Sequence, residues 1–195
     1  FGNPEDCKKI VRLLAKRHSG YTREEIARET GLPLGGGLSD TLLALIESDF
    51  VLRYTSYGKP GNVEHYKLID NFCLFWLKYV EENHSDTSFM TDHVTSDIMR
   101  SWRGIAFEEV CWQHVTQIKR ALEIGGVKSS LSAWSVKGDD MKEGVQIDLL
   151  IIRDDNVVNL CEMKFASNAY TIDKDEDAKL RCRIEALKGM LAPKQ

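Results

Sequence analysis

Three charged side chains interrupt two otherwise apolar segments, and they are the residues of this sequence best suited to chemistry. Asp148 lies within Gly144–Ile152, and Glu162 and Lys164 lie within Val157–Phe165. Both segments have the length and the aliphatic content of buried strands. Two carboxylates can hold a divalent cation, and a nearby ammonium group can orient a water molecule. Whether these groups can act together depends on how the two segments pair.

The turn between the two segments predicts their register. A three-residue hairpin loop over 154–156, with Asn156 in the left-handed conformation, sets Asp148 directly opposite Glu162. A two-residue turn would set Cys161 opposite Asp148 instead. Two facing carboxylates repel each other unless a proton or a cation lies between them. The first register therefore predicts a divalent metal, Mg²⁺ or Mn²⁺, with the lysine beside it.

A third carboxylate lies on the helix that precedes these strands. The spacing of apolar residues predicts one long amphipathic helix over 96–124. Its apolar arc places Glu108 at the rim, beside Val115, and Glu109 on the opposite, solvated face. A carboxylate at the edge of a core is costly unless it is paired. Glu108 is therefore a candidate for the site, and the alternative is a boundary glutamate with a Lys or Arg partner.

Residues 1–70 form the first predicted domain, with three helices followed by a hairpin. The third helix is predicted to be capped by Ser39 and to bury Leu42, Leu43, Leu45 and Ile46. The segments that carry the pattern are helices over Pro4–His18, Thr22–Thr30 and Ser39–Glu47 and strands over Phe50–Tyr54 and Val63–Leu68. Three helices and a hairpin are typical of a winged helix-turn-helix. The alternative is a compact packing module without a DNA contact.

Four residues are candidates for nucleic-acid contacts. Ser39 and Thr41 are predicted on the exposed side of the third helix, Lys59 in the wing, and Gln146 on the strand of Asp148. No exposed position of that helix is predicted to carry Arg or Lys, although Arg to guanine is the commonest specific base contact. The formal net charge of −4 and the pI near 5.8 also show no basic excess of the kind that marks a nucleic-acid binder.

The composition of individual segments predicts a buried helix in the middle of the chain and argues against a membrane span and against a zinc or disulfide site. The segment Asn71–Val80 is apolar on nearly every side and is predicted to be a buried helix within a helical bridge over 71–95. No run reaches the roughly 18 apolar residues of a membrane span. The five cysteines lack CxxC spacing, which argues against zinc or a disulfide framework and favours the cytoplasm. Residues 96–195 are predicted to form the last domain.

The order of the charged residues resembles the PD-(D/E)xK nuclease-like superfamily. Asp148 is followed by thirteen residues and then by Glu162-Met163-Lys164, and the helical Glu108 precedes them. Ile147 stands where that superfamily usually has proline. The resemblance implies an α/β (α+β) fold in which a mixed sheet is flanked by helices. It also implies that Asp148 and Glu162 hold Mg²⁺ or Mn²⁺, that Lys164 acts on the attacking water, and that Glu108 supports the site.

Nearly the whole chain is similar to the C-terminal half of prokaryotic AAA-type ATPases, in which a nuclease-like domain of unknown function follows a winged helix. The segments that carry this similarity are the winged-helix region, Asn71–Val80, Gly104–Cys111, Gln146–Ile151 and Asn159–Phe165. The similarity implies a preceding ATPase domain as a partner in cis. This chain has no Gly-x-x-x-x-Gly-Lys-Ser/Thr motif, since Leu38 follows Gly35-Gly36-Gly37. ATP is therefore expected to bind only in the absent N-terminal domain.

Four hypotheses for the acidic cluster remain open at this point. The first is an active Mg²⁺-dependent nuclease, and the second is a nuclease-fold module with weak or no cleavage that couples an ATPase to DNA or to a protein. The third is a transcriptional regulator whose second half senses a ligand. The fourth is a Glu–Lys ion pair that only stabilises a sheet. The oligomeric state is also open.

Overall fold

The chain combines helices and strands throughout, which confirms the mixed α and β class. The part that the computed structural model describes comprises residues 3–58, 63–81, 83, 86, 88–136 and 144–191. These residues contain eight α-helices, one π-helix and six strands. Two compact units are formed, residues 1–55 with 63–115 and residues 56–62 with 116–195. No helix in the described ranges is both long enough and apolar enough to cross a membrane.

The first unit holds most of the helices and a small antiparallel sheet. Its elements in chain order are α1 (Pro4–Leu14), β1 (Tyr21–Thr22), α2 (Arg23–Thr30), α3 (Gly36–Glu47), β2 (Val51–Ser56), β3 (Glu64–Leu68), α4 (Asn71–Phe75), a π-helix (Trp76–Val80), α5 (Phe89–His93) and α6 (Asp97–Gln113). Strand β3 pairs with β1 on one side and with β2 on the other, and both pairings are antiparallel. The core of this unit is built from apolar side chains of α1 to α4 and of the two longer strands.

Local sequence signals set the ends of the first two helices. Asn3 caps α1 by accepting a hydrogen bond from the Glu5 amide, and Thr22 and Glu25 form a capping box at the start of α2. Helix α1 ends at Leu14 rather than at His18, so this prediction was four residues too long. The chain tightens there into i→i+3 bonds, from the Arg17 amide to the Leu14 carbonyl for example.

Helix α3 differs from its prediction in where it begins and in which face it buries. It begins at Gly36, three residues before Ser39. Leu43 is 50% exposed, whereas it was predicted in the core. Residues spaced i, i+3, i+4 and i+7 share one helical face, and the buried set of α3 has this spacing. Its members are Leu38, Thr41, Leu42 and Leu45.

The apolar segment after β3 is not buried on all sides, which corrects the prediction for Asn71–Val80. Phe72 is 71% exposed and Trp76 is 43% exposed, while Leu74 lies in the core. The segment begins as α4 and continues as the π-helix, in which the Glu81 amide donates a 2.9 Å hydrogen bond to the Trp76 carbonyl, five residues back. A helix that packs on one face leaves its other face exposed, however apolar its sequence is.

The predicted helix over 96–124 is interrupted. Helix α6 ends at Gln113, and a second helix, α7 (Val115–Ala121), follows directly. His114 lies between them with φ −108° and ψ 21°, outside the helical region. Its amide is shared between the carbonyls of Val110 and Cys111, and such shared bonds are common at helix ends.

The second unit contains a three-stranded antiparallel sheet and one long helix. Its remaining elements are β4 (Ser129–Val136), β5 (Val145–Arg153), β6 (Val158–Cys161) and α8 (Lys174–Leu191). Strand β5 is central and pairs with β4 and β6. Leu187 of α8 packs against Ile147 and Leu150 of β5. This central position explains why β5 is apolar over most of its length.

The hairpin between β5 and β6 has the predicted three-residue loop. The Arg153 amide donates a 2.9 Å hydrogen bond to the Val157 carbonyl, and Asn156 has a φ of 66°. The pairs continue through Ile152 with Val158 to Leu149 with Cys161. This is the register that sets position 148 opposite position 162, so the register prediction is confirmed.

Replacement of Asn156 tests how strongly the loop holds this register. We expect Asn156→Val to lower the free energy of unfolding by about 1–2 kcal/mol, because a β-branched residue is strained at positive φ. Asn156→Gly should be nearly neutral, because glycine adopts this conformation freely. Urea unfolding of both variants checks this, and equal losses for Val and Gly would contradict it.

Candidate functional site

Asp148 and the chain around Glu162 are brought together at the end of β6. The carboxylate Oδ2 of Asp148 accepts a 2.9 Å hydrogen bond from the Met163 amide. Strand β6 ends at Cys161, so Glu162 and Lys164 follow the strand instead of lying on it, and the strand predicted to extend to Phe165 was too long. The Met163 amide therefore donates to a side-chain carboxylate, and not to a backbone carbonyl of β5 as it would if β6 continued. Asp148 therefore lies beside the segment of Glu162, as predicted, but it contacts the backbone after β6 and not a paired strand residue.

Glu162 lies between two cations. Its Oε1 is 2.6 Å from Lys164 Nζ, and its Oε2 is 3.3 Å from Arg183 Nη1. The Glu162 side chain is mostly buried, with 12% of its surface exposed. Because two opposite charges flank it, its negative charge is compensated without any further ligand.

Helix α8 supplies two residues that the sequence did not single out. Glu176 Oε1 lies 3.8 Å from Lys164 Nζ and 4.0 Å from Arg183 Nη1. A stretch with this many charged residues is typical of a solvated helical face. Glu176 and Arg183 are seven residues apart and share the face of α8 that also carries Leu187, four residues further on. This spacing was the available signal, and it was obscured by the surrounding charges, which do face solvent.

The pKa of Lys164 is raised. Partial burial favours the neutral amine, but the hydrogen bond to Glu162 and the charges of Glu162, Glu176 and Asp148 outweigh burial. Lys164 is therefore a protonated donor in this arrangement. A lysine that removes a proton from water would need a lower pKa, which additional positive charge nearby or deeper burial provides.

The donor set suits Mg²⁺ only in part. Oxygen ligands from Asp148 and Glu162 are the kind that Mg²⁺ prefers, and Mg²⁺ often uses one or two carboxylates together with water and substrate phosphate. Glu162 Oε2 and Glu176 Oε1 are buried and accept no hydrogen bond, which leaves oxygen lone pairs available. Within the described ranges, however, no group of three or more His, Cys, Asp and Glu side chains is placed to hold a metal ion.

A cleft of about 770 Å³ lies beside this cluster. Gln146 is exposed on β5 and lines it, together with Lys179 and Arg183 of α8. Gln146 therefore shares a cavity with a member of the cluster. The lining carries two cations, Lys179 and Arg183, and one anion, Glu185, and the excess of positive charge suits an anionic ligand.

One of the two adjacent glutamates of α6, Glu109, is placed in the opposite way to the prediction, whereas Glu108 is half-buried, as a boundary residue is. Glu109, predicted on the solvated face, is fully buried, and Val110 is 40% exposed. The face of α6 that packs into its unit carries Met99, Glu109 and Trp112. The face of α6 that the tertiary contacts bury is therefore different from the apolar face that the residue spacing predicted.

Glu109 is held by a buried lysine and by a histidine. Lys67 Nζ lies 3.0 Å from both carboxylate oxygens of Glu109, and His18 Nδ1 lies 3.2 Å from one of them. Burial raises the pKa of Glu109, although the charges of Lys67 and His18 oppose this rise. Lys67 also lies over the ring of Trp112, with Nζ 4.7 Å from the ring centroid. In the sequence, this buried ion pair is indicated only by the position of Lys67 between the apolar residues Tyr66 and Leu68 of β3.

Glu108 has a partner within its own unit. Its Oε2 lies 2.7 Å from Nε2 of His18, whose other ring nitrogen faces Glu109. An imidazole with a carboxylate at each nitrogen donates to both only as the imidazolium ion. The boundary-glutamate alternative named a Lys or Arg partner, and the structure supplies a histidine. The proposed catalytic role of Glu108 stays a prediction.

The candidates for nucleic-acid contacts have different surroundings. Ser39 is exposed on α3, as predicted. Thr41 is buried, and its hydroxyl donates a 2.8 Å hydrogen bond to the Gly37 carbonyl, so the prediction that it is exposed was wrong. The helical face that packs into the core includes Thr41 because it lies one turn after Leu38. Lys59 lies outside the described residues.

No protein-family model, no curated protein and no solved structure matches this chain.

Removal of Lys67 tests the buried pair. We expect Lys67→Met to lower the free energy of unfolding by about 3–5 kcal/mol, because it leaves Glu109 buried without its main counter-charge. The double variant Lys67→Met with Glu109→Leu should recover most of this loss, since neither charge is then buried.

Urea unfolding measures both variants, and Arg100→Met is the matched control. Arg100 and Asp97 form an exposed pair, whose loss should change the free energy by less than about 0.5 kcal/mol. A double variant that is as unstable as Lys67→Met alone would show that packing, and not charge, accounts for the loss.

Proposed function

We propose that the second unit is a nuclease-like module that hydrolyses phosphodiester bonds with Mg²⁺ or Mn²⁺. The observation that carries the proposal is the hairpin register, which places Asp148 against the chain at Glu162 and Met163. Asp148 and Glu162 are the proposed metal ligands, and Lys164 is the proposed water-orienting residue. The finer fold that we propose for this unit is the PD-(D/E)xK type.

The residues of the chain would divide the chemistry between them. A metal ion at Asp148 and Glu162 would neutralise charge on the phosphoryl group and lower the pKa of a bound water. Lys164 is a protonated donor that can hold a water or a phosphate oxygen by a charge-assisted hydrogen bond. Gln146 and Arg183 line the adjacent cleft, where a nucleic-acid backbone would contact them.

For the first unit we propose a winged helix-turn-helix. The order of α1 to α3 followed by the β2–β3 hairpin supports this proposal. Ser39 is the exposed candidate at the start of α3, and no Lys or Arg lies on that helix. Any DNA contact of this unit would therefore rely little on direct readout by α3.

A second function is favoured by one specific observation. Lys164 and Arg183 already compensate Glu162 and Glu176, as they would in a module that does not cleave. Such a module would couple an AAA-type ATPase to DNA or to a protein partner, and ATP would bind in a preceding ATPase domain. The two proposals differ in whether a divalent metal displaces the cations.

Metal binding and DNA nicking separate these proposals. We expect Mn²⁺ to bind the chain, as followed by isothermal titration calorimetry, and Asp148→Asn to abolish this binding. In a plasmid-nicking assay with Mg²⁺, Lys164→Ala should lower the rate by about 100-fold or more, the usual cost of removing one positioned hydrogen-bond donor from the reacting group.

Arg181→Ala is the control, because Arg181 is an exposed cation of the second unit that lies on α8 and pairs with Asp177. Binding of Mn²⁺ without nicking would favour the coupling module. The absence of both Mn²⁺ binding and nicking would contradict the metal site. The ion pairs would then be a purely stabilising feature.

Arg183→Met provides a second test of the same site. If Arg183 competes with the metal for Glu162, its removal should raise the affinity for Mn²⁺ by about tenfold, the effect of a partly screened charge a few ångström away. Calorimetric titration of Arg183→Met against Arg181→Met measures this difference. A lower affinity in Arg183→Met would show that Arg183 supports the site rather than competing for it.

A further inference from the structure

A second cleft lies wholly within the first unit and is used by neither proposed function. It has a volume of about 740 Å³ and lies between the end of α1, the segment formed by α4 and the π-helix, and α6. This volume lies within the roughly 300–1,000 Å³ typical of small-molecule sites. Its apolar lining consists of Ala15, Leu74, Leu77, Trp102 and Ile105.

The charged groups of this cleft are mostly positive. Arg12, Lys16, His18 and Lys78 line it, with Glu81 as the one acidic residue of the lining. Arg12 and Glu81 neutralise each other through two hydrogen bonds of 2.5 Å. His18 is held by the two adjacent glutamates of α6.

The two lysines of the lining differ from Arg12 and His18, which have acidic partners. Lys16 and Lys78 form no ion pair with any residue that the structure describes, and both are exposed. They come from different elements, Lys16 from the turn after α1 and Lys78 from the π-helix. Two uncompensated cations beside an apolar lining make a surface that is complementary to an anion with an apolar body.

The π-helix contributes to one side of this cleft. Leu74, Leu77, Lys78 and Glu81 line it together, and the bond from the Glu81 amide to the Trp76 carbonyl is the wide, five-residue bond of a π-helix. Such π-helical segments are rare and occur frequently at functional sites. The widened turn carries both the apolar Leu77 and the cationic Lys78 on the wall of the cleft.

We propose that this cleft binds a small amphipathic anion. The apolar or aromatic body of the ligand lies against Leu77, Trp102 and Ile105, and its phosphate or carboxylate head is bound by Lys16 and Lys78. Neither half of such a ligand suffices, because lysines exposed to water bind an anion weakly by themselves and the apolar side chains contact only the body. The site is independent of the carboxylate cluster in the second unit.

The probe for this proposal is 1-naphthyl phosphate, titrated into the ¹⁵N-labelled full chain and followed by NMR. We expect the indole N–H signal of Trp102, assigned by comparison with Trp102→Phe, to shift with saturation. Both 1-naphthol, which lacks the head, and inorganic phosphate, which lacks the body, should bind at least about tenfold more weakly. Saturable binding of 1-naphthoate would support the proposal equally and identify a carboxylate head.

A pair of charge-matched double variants locates the head. Lys16→Ala with Lys78→Ala should raise the dissociation constant by about tenfold. Lys9→Ala with Lys174→Ala removes two exposed lysines that do not line the cleft and should leave the dissociation constant unchanged. All four sites are exposed, so both double variants should fold.

Three outcomes would overturn the proposal. These are an unshifted Trp102 signal with both naphthyl anions, equal binding of 1-naphthol, and equal effects of the two double variants. The affinity for 1-naphthyl phosphate should also fall as salt is raised, because screening weakens the attraction of exposed lysines for the head. An affinity that does not depend on salt would likewise contradict a head bound by Lys16 and Lys78.

Discussion

Carboxylates at the end of a sheet can lie close together only when positive charge lies among them. In the second unit this requirement is met by two cations from different parts of the chain. Lys164 comes from the segment that leaves β6, and Arg183 comes from α8. The contacts of both with Glu162 hold the segment after β6 and helix α8 to the same carboxylate. These ion pairs therefore hold parts of the second unit together, and they also occupy the carboxylate that a metal ion would need.

The same requirement acts in the first unit, where the charges are more deeply buried. Glu109 is fully buried and is compensated by Lys67, which is itself buried, and by His18. A buried pair of this kind adds little to stability compared with apolar side chains, but the loss of one partner is costly. Such a pair therefore restricts which residues can occupy the contact between α6 and β3. Glu108 shares His18 with Glu109, so the two neighbouring glutamates are coupled through one ring.

The two proposals for the second unit differ in which cations neutralise Glu162, a divalent metal ion or the side chains of Lys164 and Arg183. A divalent cation and the two side-chain cations would neutralise the same carboxylate oxygens of Glu162. The raised pKa of Lys164 shows that the carboxylates already favour a bound positive charge. A metal adds two charges at one point, whereas Lys164 and Arg183 add one charge each through flexible side chains. The proposed cleft in the first unit has the reverse imbalance, since Lys16 and Lys78 pair with no acidic residue in the part of the chain that the structure describes.

Short-range patterns in the sequence determined the capping box at Thr22, the hairpin loop at Asn156 and the register that sets position 148 opposite 162. Each of these depends on residues close together in the chain, so that local geometry decides it. The tertiary structure alone decided that β6 ends at Cys161, that Thr41 and Glu109 are buried, and that α8 brings Arg183 to Glu162 and Glu176 to Lys164. These features depend on which helix face meets which strand. Contacts between residues far apart in the sequence decide this, and helical periodicity does not reveal their direction.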